Sequence, residues 1–440
     1  MHRYGMETDP VSGEGYDCMS IQGPAHVRRE DKNTGETDMA ETATLTAPSP
    51  RSDLDPFSRE NILDPYGWNG KFRDTAPLVW LTKYDVWATG KYDLAKEILD
   101  DWETYCSSAG VGLTNFHKEE PWRPPSKLLE ADPPEHTQRR GVADGVMSHG
   151  NLRNLRPFFA EQAKLLVDRL LEKGTVDGMA DIAQPFILKV FPDSVGLKPE
   201  GRERLLAYGN MVFNGFGPRN EIFEESTAAA DEVVDYIMTC CLRSELDPDG
   251  LGAQAYKASD EGIVTEEEAL FIVRSMLSAG LDTTVFAIGN ALNCFAEHPA
   301  EWAKLREKPA LARNAVEEVL RYDSPFQALF RTTTREVELA GKTIPEKEKI
   351  LVVLGSANRD PDAWDDPETF NIDRNAAAHL GFGFGIHHCM GQAMARLEMQ
   401  ALFTELANRV DRIEPAGPGV RAVNNTLHGF KTLPLGLTAA

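Results

Sequence analysis

Phe382-Gly383-Phe384-Gly385-Ile386-His387-His388-Cys389-Met390-Gly391 places a single cysteine in a glycine-punctuated loop, immediately before the amphipathic stretch Gln392 to Val410. Thiolate rather than thiol ligates metal, so a ligating sulfur needs an electropositive setting. The first turn of the following helix supplies it, with free N–H groups and the positive end of a helix dipole. Gly383, Gly385 and Gly391 let the backbone approach a flat macrocycle and turn donors toward the sulfur. A lone cysteine in a reduced chain is usually a small buried hydrophobe; the spacing around Cys389 points elsewhere. The arrangement describes an axial thiolate for haem iron, a ligand that pushes electron density onto the metal and favours O–O cleavage.

Upstream, Thr265-Glu266-Glu267-Glu268 forms a capping box that opens an apolar helix of roughly 30 residues, ending before Pro299. Within it lies Ser278-Ala279-Gly280-Leu281-Asp282-Thr283-Thr284. Small and polar residues inside an apolar helix are unfavourable for propensity and packing, so something must offset them. Thr283 can hydrogen-bond an iron-bound oxygen and Asp282 can deliver protons from solvent, which makes the pair a candidate proton relay. Ala279 and Gly280 would leave room for oxygen. Taken without the cysteine loop, the same stretch reads as a helix kink or a satisfied polar pair.

The 440 residues allow two or three domains or one large helical one, and a hydrophobic content of 42% is ample for a large core. A net charge of −23 argues against nucleic acid or an anionic membrane as the main partner, because phosphate contacts need a basic footprint. A local basic patch for an acidic redox partner remains compatible with it. The six cysteines, Cys18, Cys106, Cys240, Cys241, Cys294 and Cys389, show no C-x-x-C and no pairing rhythm, which fits a reducing compartment and excludes the usual zinc spacings. With no uninterrupted apolar run of spanning length and no apolar leader segment, the expectation is a soluble, cytoplasmic monomer.

Residues 1–50 are polar, without apolar periodicity, and read as a disordered N-terminal extension; Met39 offers a second start within it. Residues 51–440 read as the folded domain. Two β-like runs, Leu78 to Thr82 and Asp85 to Thr89, precede a helical stretch from Tyr92 to Leu99. Cys106 to Lys127 is irregular, as functional loops often are. Asp132-Pro133-Pro134-Glu135-His136 starts a mainly helical region that runs to about Pro299, interrupted near Gly215 to Pro218 and Asp247 to Gly252. β-like segments return at Thr332 to Leu339, at Ile350 to Val353 and between Asn424 and Leu437.

The cysteine loop matches the signature F-G-x-G-x-H/R-x-C-x-G of the cytochrome P-450 family at every fixed position, and the Ala279 to Thr284 stretch matches its A-G-x-D/E-T-T oxygen-activation motif. The chain therefore resembles a bacterial haem-thiolate monooxygenase. The resemblance spans roughly Asp55 to Leu437. It implies a mainly α fold, a triangular helical domain with a small β-rich lobe, carrying haem b (iron protoporphyrin IX). It further implies catalytic roles for Asp282 and Thr283, iron ligation by Cys389, and a haem loop formed by Phe382, Gly383 and Gly391. Propionate binding falls to His136, Arg140, Arg331 and His387. Glu318 and Arg321, whose spacing alone would suit any solvated helix, become a buried structural pair completed by Arg374. O2 is the co-substrate. The sequence holds neither a flavin fingerprint nor a cluster of iron–sulfur cysteines, so the family implies electrons from NAD(P)H through a reductase and a [2Fe–2S] ferredoxin, with Arg139 and Arg396 as candidate docking cations. A non-catalytic haem-thiolate sensor would share Cys389 without needing the Asp282-Thr283 pair.

Several loop stretches are similar to the bacterial group that oxidises or O-demethylates para-substituted benzoates. Among them are Gly110-Val111-Gly112-Leu113, Pro121-Trp122-Arg123-Pro124-Pro125, Phe216-Gly217-Pro218 and Val273-Arg274-Ser275. The resemblance implies hydroxylation or oxidative O-demethylation of a small planar aromatic substrate. Candidate substrate contacts are Val111, Leu113, Phe213, Phe216, Arg274, Ser275, Ala279 and Leu329; Ala328 is a further candidate. Ser275, Ala279 and Thr283 recur every four residues and share a helix face, while Phe213 and Phe216 could flank an aromatic ring. Two departures stand out. Ala109 follows Cys106-Ser107-Ser108 where the group is expected to place a carboxylate-holding Arg, and Leu329 stands where an aromatic is expected, which would enlarge the pocket. A buried carboxylate without partners costs several kcal/mol. Either Arg274, Arg219 or a set of hydroxyls replaces that Arg, or the substrate is a neutral phenol or aryl ether.

Overall fold

The computed structural model describes residues 50–440; the expected N-terminal extension lies outside the described residues but for its last. The β-rich part is a six-stranded mixed sheet in the order Arg51–Ser52, Val79–Leu81, Val86–Thr89, Lys349–Val353, Ala328–Thr333, Tyr105–Cys106. Lys349–Val353 is buried along its whole length and sits between a parallel neighbour, Val86–Thr89, and an antiparallel one, Ala328–Thr333. A strand covered on both faces reads as an unbroken apolar run, as Ile350 to Val353 does. The register Arg331↔Ile350 and Thr332↔Lys349 carries Arg331 into the molecule's interior, where it is 4% exposed.

The expected strand from Thr332 to Leu339 is two elements. The first ends at Thr333, and Val337–Leu339 pairs with Lys342–Ile344 in a separate hairpin. Thr334 gives its N–H to the Thr104 carbonyl, extending the pairing with Tyr105–Cys106 by one residue, and its hydroxyl to the Glu103 carbonyl; the chain then turns away before Val337. Inside the region read as helical, Thr175–Asp177 forms a short strand against Pro434–Ala439.

The expected long helix is also two, Glu266–Ala279 and Asp282–Glu297. Thr265 and Glu268 form the capping box at its start. The break at Gly280-Leu281 has a local cause. The Thr283 and Thr284 hydroxyls donate to the Ala279 and Gly280 carbonyls, competing with the backbone ladder, which bends helices. A Cβ at Gly280 would lie 2.3 Å from the Phe191 ring, so the bend is packed where only glycine fits. Taken as one 32-residue element, Glu266–Glu297 is long and apolar enough to cross a bilayer, yet half of its most apolar window is buried inside the protein. The helix after the cysteine loop, Gln392–Arg409, packs against His149–Lys173 and Ala312–Tyr322.

Glu318 and Arg321 are fully buried on Ala312–Tyr322 and joined by two hydrogen bonds of 2.7 and 2.8 Å. Arg321 also donates to the Asn358, Pro367 and Thr369 carbonyls. Arg374 and the Asn371 N–H complete the shell of Glu318 at 3.3 and 3.0 Å. A buried ion pair survives its desolvation cost when the remaining lone pairs and protons are satisfied, and here they are. This places the resemblance's structural triad in the interior, binding the segment that leads to the cysteine loop.

Candidate active site

The cysteine loop crosses the floor of the main cavity. Gly383 and Gly385 adopt φ of +71° and +70°, and a Cβ at Gly385 would come within 2.3 Å of the Leu99 carbonyl oxygen. The Cys389 N–H bonds to the Phe382 carbonyl, which turns the sulfur toward the start of Gln392–Arg409. Burial pushes the Cys389 thiol up, while the Gly391 and Gln392 N–H groups and the charges of Arg140 and Arg396 pull it down. Arg396 lies over the Phe382 ring at 4.5 Å and holds Glu317 through two bonds of 2.6 and 2.9 Å. Burial would raise the Glu317 carboxyl, but hydrogen bonds from His379 and Arg396 hold it at about 2. Arg396 thus braces the loop rather than offering a free docking cation. Arg139 is likewise engaged, with Glu268 and the Lys127 carbonyl.

His136, Arg140, Arg331 and His387 all line this cavity. The His136 and His387 rings stand 4.2 Å apart, and burial, then the neighbouring His387 and Arg140, push His136 down to about 4. His387 Nε2 has no hydrogen-bond partner and lies 3.9 Å from Asp132, beyond bonding distance. Burial lowers Arg331 to about 10, and its guanidinium donates to the Phe330 carbonyl. Arg140 divides itself between Asp144 and the Ile386 carbonyl. Two guanidinium groups and two imidazoles gathered beside a cysteine, with one imidazole nitrogen unpartnered, fit the anionic edge of a haem.

The facing wall is the helix break. Ala279, Gly280, Thr283 and Thr284 line the cavity, and Thr283 Oγ1 donates to the Ala279 carbonyl at 2.9 Å. Asp282 does not join them. Its carboxyl leans onto Gly209 of Arg204–Asn214, so closely that a Cβ there would fall 1.6 Å from Oδ2. Oδ2 is buried without a partner, and burial raises the group well above the carboxylate range. The expected delivery of protons from solvent by Asp282 therefore needs a change of rotamer. Glu398, overlooked in the sequence, lines the cavity from the cysteine helix, and burial raises its carboxyl well above the usual range. An acidic residue on the apolar face of an amphipathic helix was the available signal.

At the end away from Cys389, Val111, Phe213, Phe216, Arg274, Ser275 and Leu329 line the cavity as expected. Phe213 meets Phe216 edge-on at 5.8 Å and Phe326 at 5.7 Å. Phe326 is a further aromatic in the lining, beyond the residues expected there. Leu113 does not line the cavity; its N–H donates to the Phe216 carbonyl and its side chain packs against the core cluster that includes Phe57 and Val79. Ala328 also packs on that cluster. Ala109 is buried behind the wall, its carbonyl taken by Lys349 and the Phe116 N–H, and Arg219 donates to the Glu120 carbonyl at the surface. The cations that do face this end are Arg274 and Arg123, joined by Ser126 and Tyr208. Arg123 and Ser126 escaped the sequence reading because a proline-rich irregular segment has no period from which to infer a facing direction.

The cytochrome P450 family model matches residues 249–411. Cytochrome p450 CYP199A2 of Rhodopseudomonas palustris is 49% identical over 392 residues, covering 89% of this chain and 95% of the relative. The biotin biosynthesis cytochrome P-450 of Bacillus subtilis is 28% identical, covering 86% and 96%. Among solved structures, CYP109E1 from Bacillus megaterium in complex with testosterone superimposes with a TM-score of 0.76 at 27% identity, covering 86% of this chain and 99% of the other. An intact type IV self-sufficient monooxygenase gives 0.78 at 25% identity, and this chain corresponds to 52% of it. With the cysteine loop, the helix break and a relative of this identity over nearly its whole length, the chain belongs to the cytochrome P-450 monooxygenases, haem-thiolate enzymes that use O2 and draw electrons from redox partners.

Proposed function

We propose that the enzyme oxidises a small para-substituted benzoate, by hydroxylation or by O-demethylation of a methoxy group. The observation that carries this reading is the cavity's polarity. Arg274 and Ser275 lie about two helical turns before Thr283, Arg123 and Arg274 both act on Tyr208, and Ser126 joins them in a lining otherwise aromatic and aliphatic that also includes the Cys389 loop. A monoanionic flat molecule fits that gradient with the carboxylate remote and the para substituent toward the iron. Apolar walls with a few convergent polar groups fix orientation in this manner. The alternative of a neutral phenol or aryl ether starts from the missing Arg at Ala109; the benzoate reading is favoured because Arg274 and Arg123 line the cavity and supply cationic partners in its place.

Cys389 would hold the haem iron, with Arg331, His387, His136 and Arg140 on the propionates and Gly383 and Gly391 against the macrocycle. When bound, the haem supplies oxygen activation and the insertion of one oxygen atom. The chain's own task is positional. Phe213, Phe216 and Phe326 confine the ring, Thr283 holds a hydroxyl proton at the cavity wall, and Asp282 keeps a second proton in reserve beside Gly209. Release of formaldehyde follows when the oxidised carbon is a methoxy group. Electrons are assigned to a [2Fe–2S] ferredoxin and its NAD(P)H-dependent reductase in the cytoplasm. The test is Arg274→Leu. Affinity for 4-methoxybenzoate is expected to fall by one to two orders of magnitude, about 1.4 to 2.7 kcal/mol, with binding of 4-methoxybenzamide little changed; equal losses for both ligands would reject the carboxylate anchor.

A further inference from the structure

The two cations at the remote end of the cavity are not equivalent. Arg123 Nη1 lies 2.9 Å from Glu130 Oε2, and the two side chains are 14% and 4% exposed. The same carboxylate oxygen accepts the Ser126 N–H at 2.7 Å, and Arg123 also donates to the Pro124 carbonyl and lies over the Trp122 ring. Arg274 has no carboxylate within ion-pair distance among the described residues; its guanidinium lies 4.7 Å over the Phe271 ring. Glu130 does not face the substrate cavity. It stands on the far side of Arg123, in a small recess it shares with Gly112, Trp122, Gly215 and Phe216. Lys349, on which the Glu130 charge also acts, lies outside both the cavity and the recess, its ammonium on the Ala109 and Gly110 carbonyls.

Two guanidinium charges less one carboxylate leave this end of the cavity with a net charge of +1. Like charges brought together without compensation are costly in a desolvated site, and so is a cation left unpaired. We infer that Glu130 is the built-in counter-ion of Arg123 and restricts the cavity to substrates carrying one carboxylate: Arg274 supplies the pairing charge, and Arg123 acts through hydrogen bonding while its charge is already answered. Glu130 is a positioning residue in this account, because it acts through Arg123 and touches no substrate. The inference rests on the benzoate reading above.

The test uses the purified holoenzyme and follows the haem spin state on titration with 4-methoxybenzoate, the neutral 4-methoxybenzamide and the dianionic 4-methoxyphthalate. Glu130→Gln is expected to tighten 4-methoxyphthalate at least tenfold and to leave 4-methoxybenzamide within twofold of wild type. Glu130→Asp, which keeps the charge, is expected to retain the wild-type order of the three. Equal weakening of all three ligands in Glu130→Gln, or an unchanged ratio of dianion to monoanion, would overturn the inference while leaving the substrate class intact. A wild-type enzyme that takes neither benzoate would instead remove the functional reading beneath it, and the inference with it.

Discussion

Asp282 and Thr283 are neighbours in sequence that face different surroundings, the hydroxyl toward the cavity and the carboxyl onto Gly209. The consequence is measurable as stability. In the unfolded chain the carboxyl ionises near pH 4; in the fold, burial keeps it protonated to much higher pH. A group whose pKa is raised by folding contributes fully below its unfolded value and loses that contribution as pH rises toward its folded value, here at up to about 1.4 kcal/mol per pH unit. Asp282→Asn removes the loss, so urea denaturation should show the variant gaining on wild type as pH rises from about 4 toward 7. A gap that is the same at every pH would contradict the buried, protonated state. Cys389 and Thr283 could be placed on one cavity from the sequence because the family's two motifs fix residue types at fixed spacings. The direction of Asp282 was not, since it depends on where the helix breaks. Arg123 was written into the sequence beside its prolines, but only the folded loop shows that it turns inward.

Gly280 governs the helix break at the next scale. Its missing Cβ admits the Phe191 ring of Gln184–Val195, and the threonine hydroxyls that follow take the carbonyls of Ala279 and Gly280. Gly280→Ala should therefore cost about 1–3 kcal/mol through overpacking, despite alanine's better helix propensity. The holoenzyme's chemical denaturation midpoint is expected to fall accordingly, and a midpoint equal to or above wild type would show that the ring yields freely. Elements with a strong period were readable in advance: the capping box at Thr265, the helix after Cys389 and the central strand to Val353 all stand where the pattern put them. The division of Thr332 to Leu339 was not readable, because the chain just past the strand, at Thr334, is tied to Glu103 and Thr104, residues some 230 positions away. Glu318 and Arg321 looked like any helical ion pair, and only their shell of carbonyls shows them as an interior lock.

Across the whole molecule, two distant segments build each end of the cavity. The irregular loop and the helix before the break bring Arg123 and Arg274 together, while the cysteine loop and the sheet's Arg331 form the opposite end. The chain's net charge is −23 while Arg123 and Arg274 line the cavity, so an anionic substrate, as proposed, would be selected by local geometry rather than by the protein's overall field. The central claim is that this cavity binds a single carboxylate at its remote end and presents the para position to the iron. It is tested most directly by optical titration of the ferric enzyme with 4-methoxybenzoate and, in parallel, with 4-methoxyphenol. A low-to-high spin shift with the benzoate, at concentrations where the phenol gives little or none, is the result predicted here; a shift with the neutral phenol alone would contradict it.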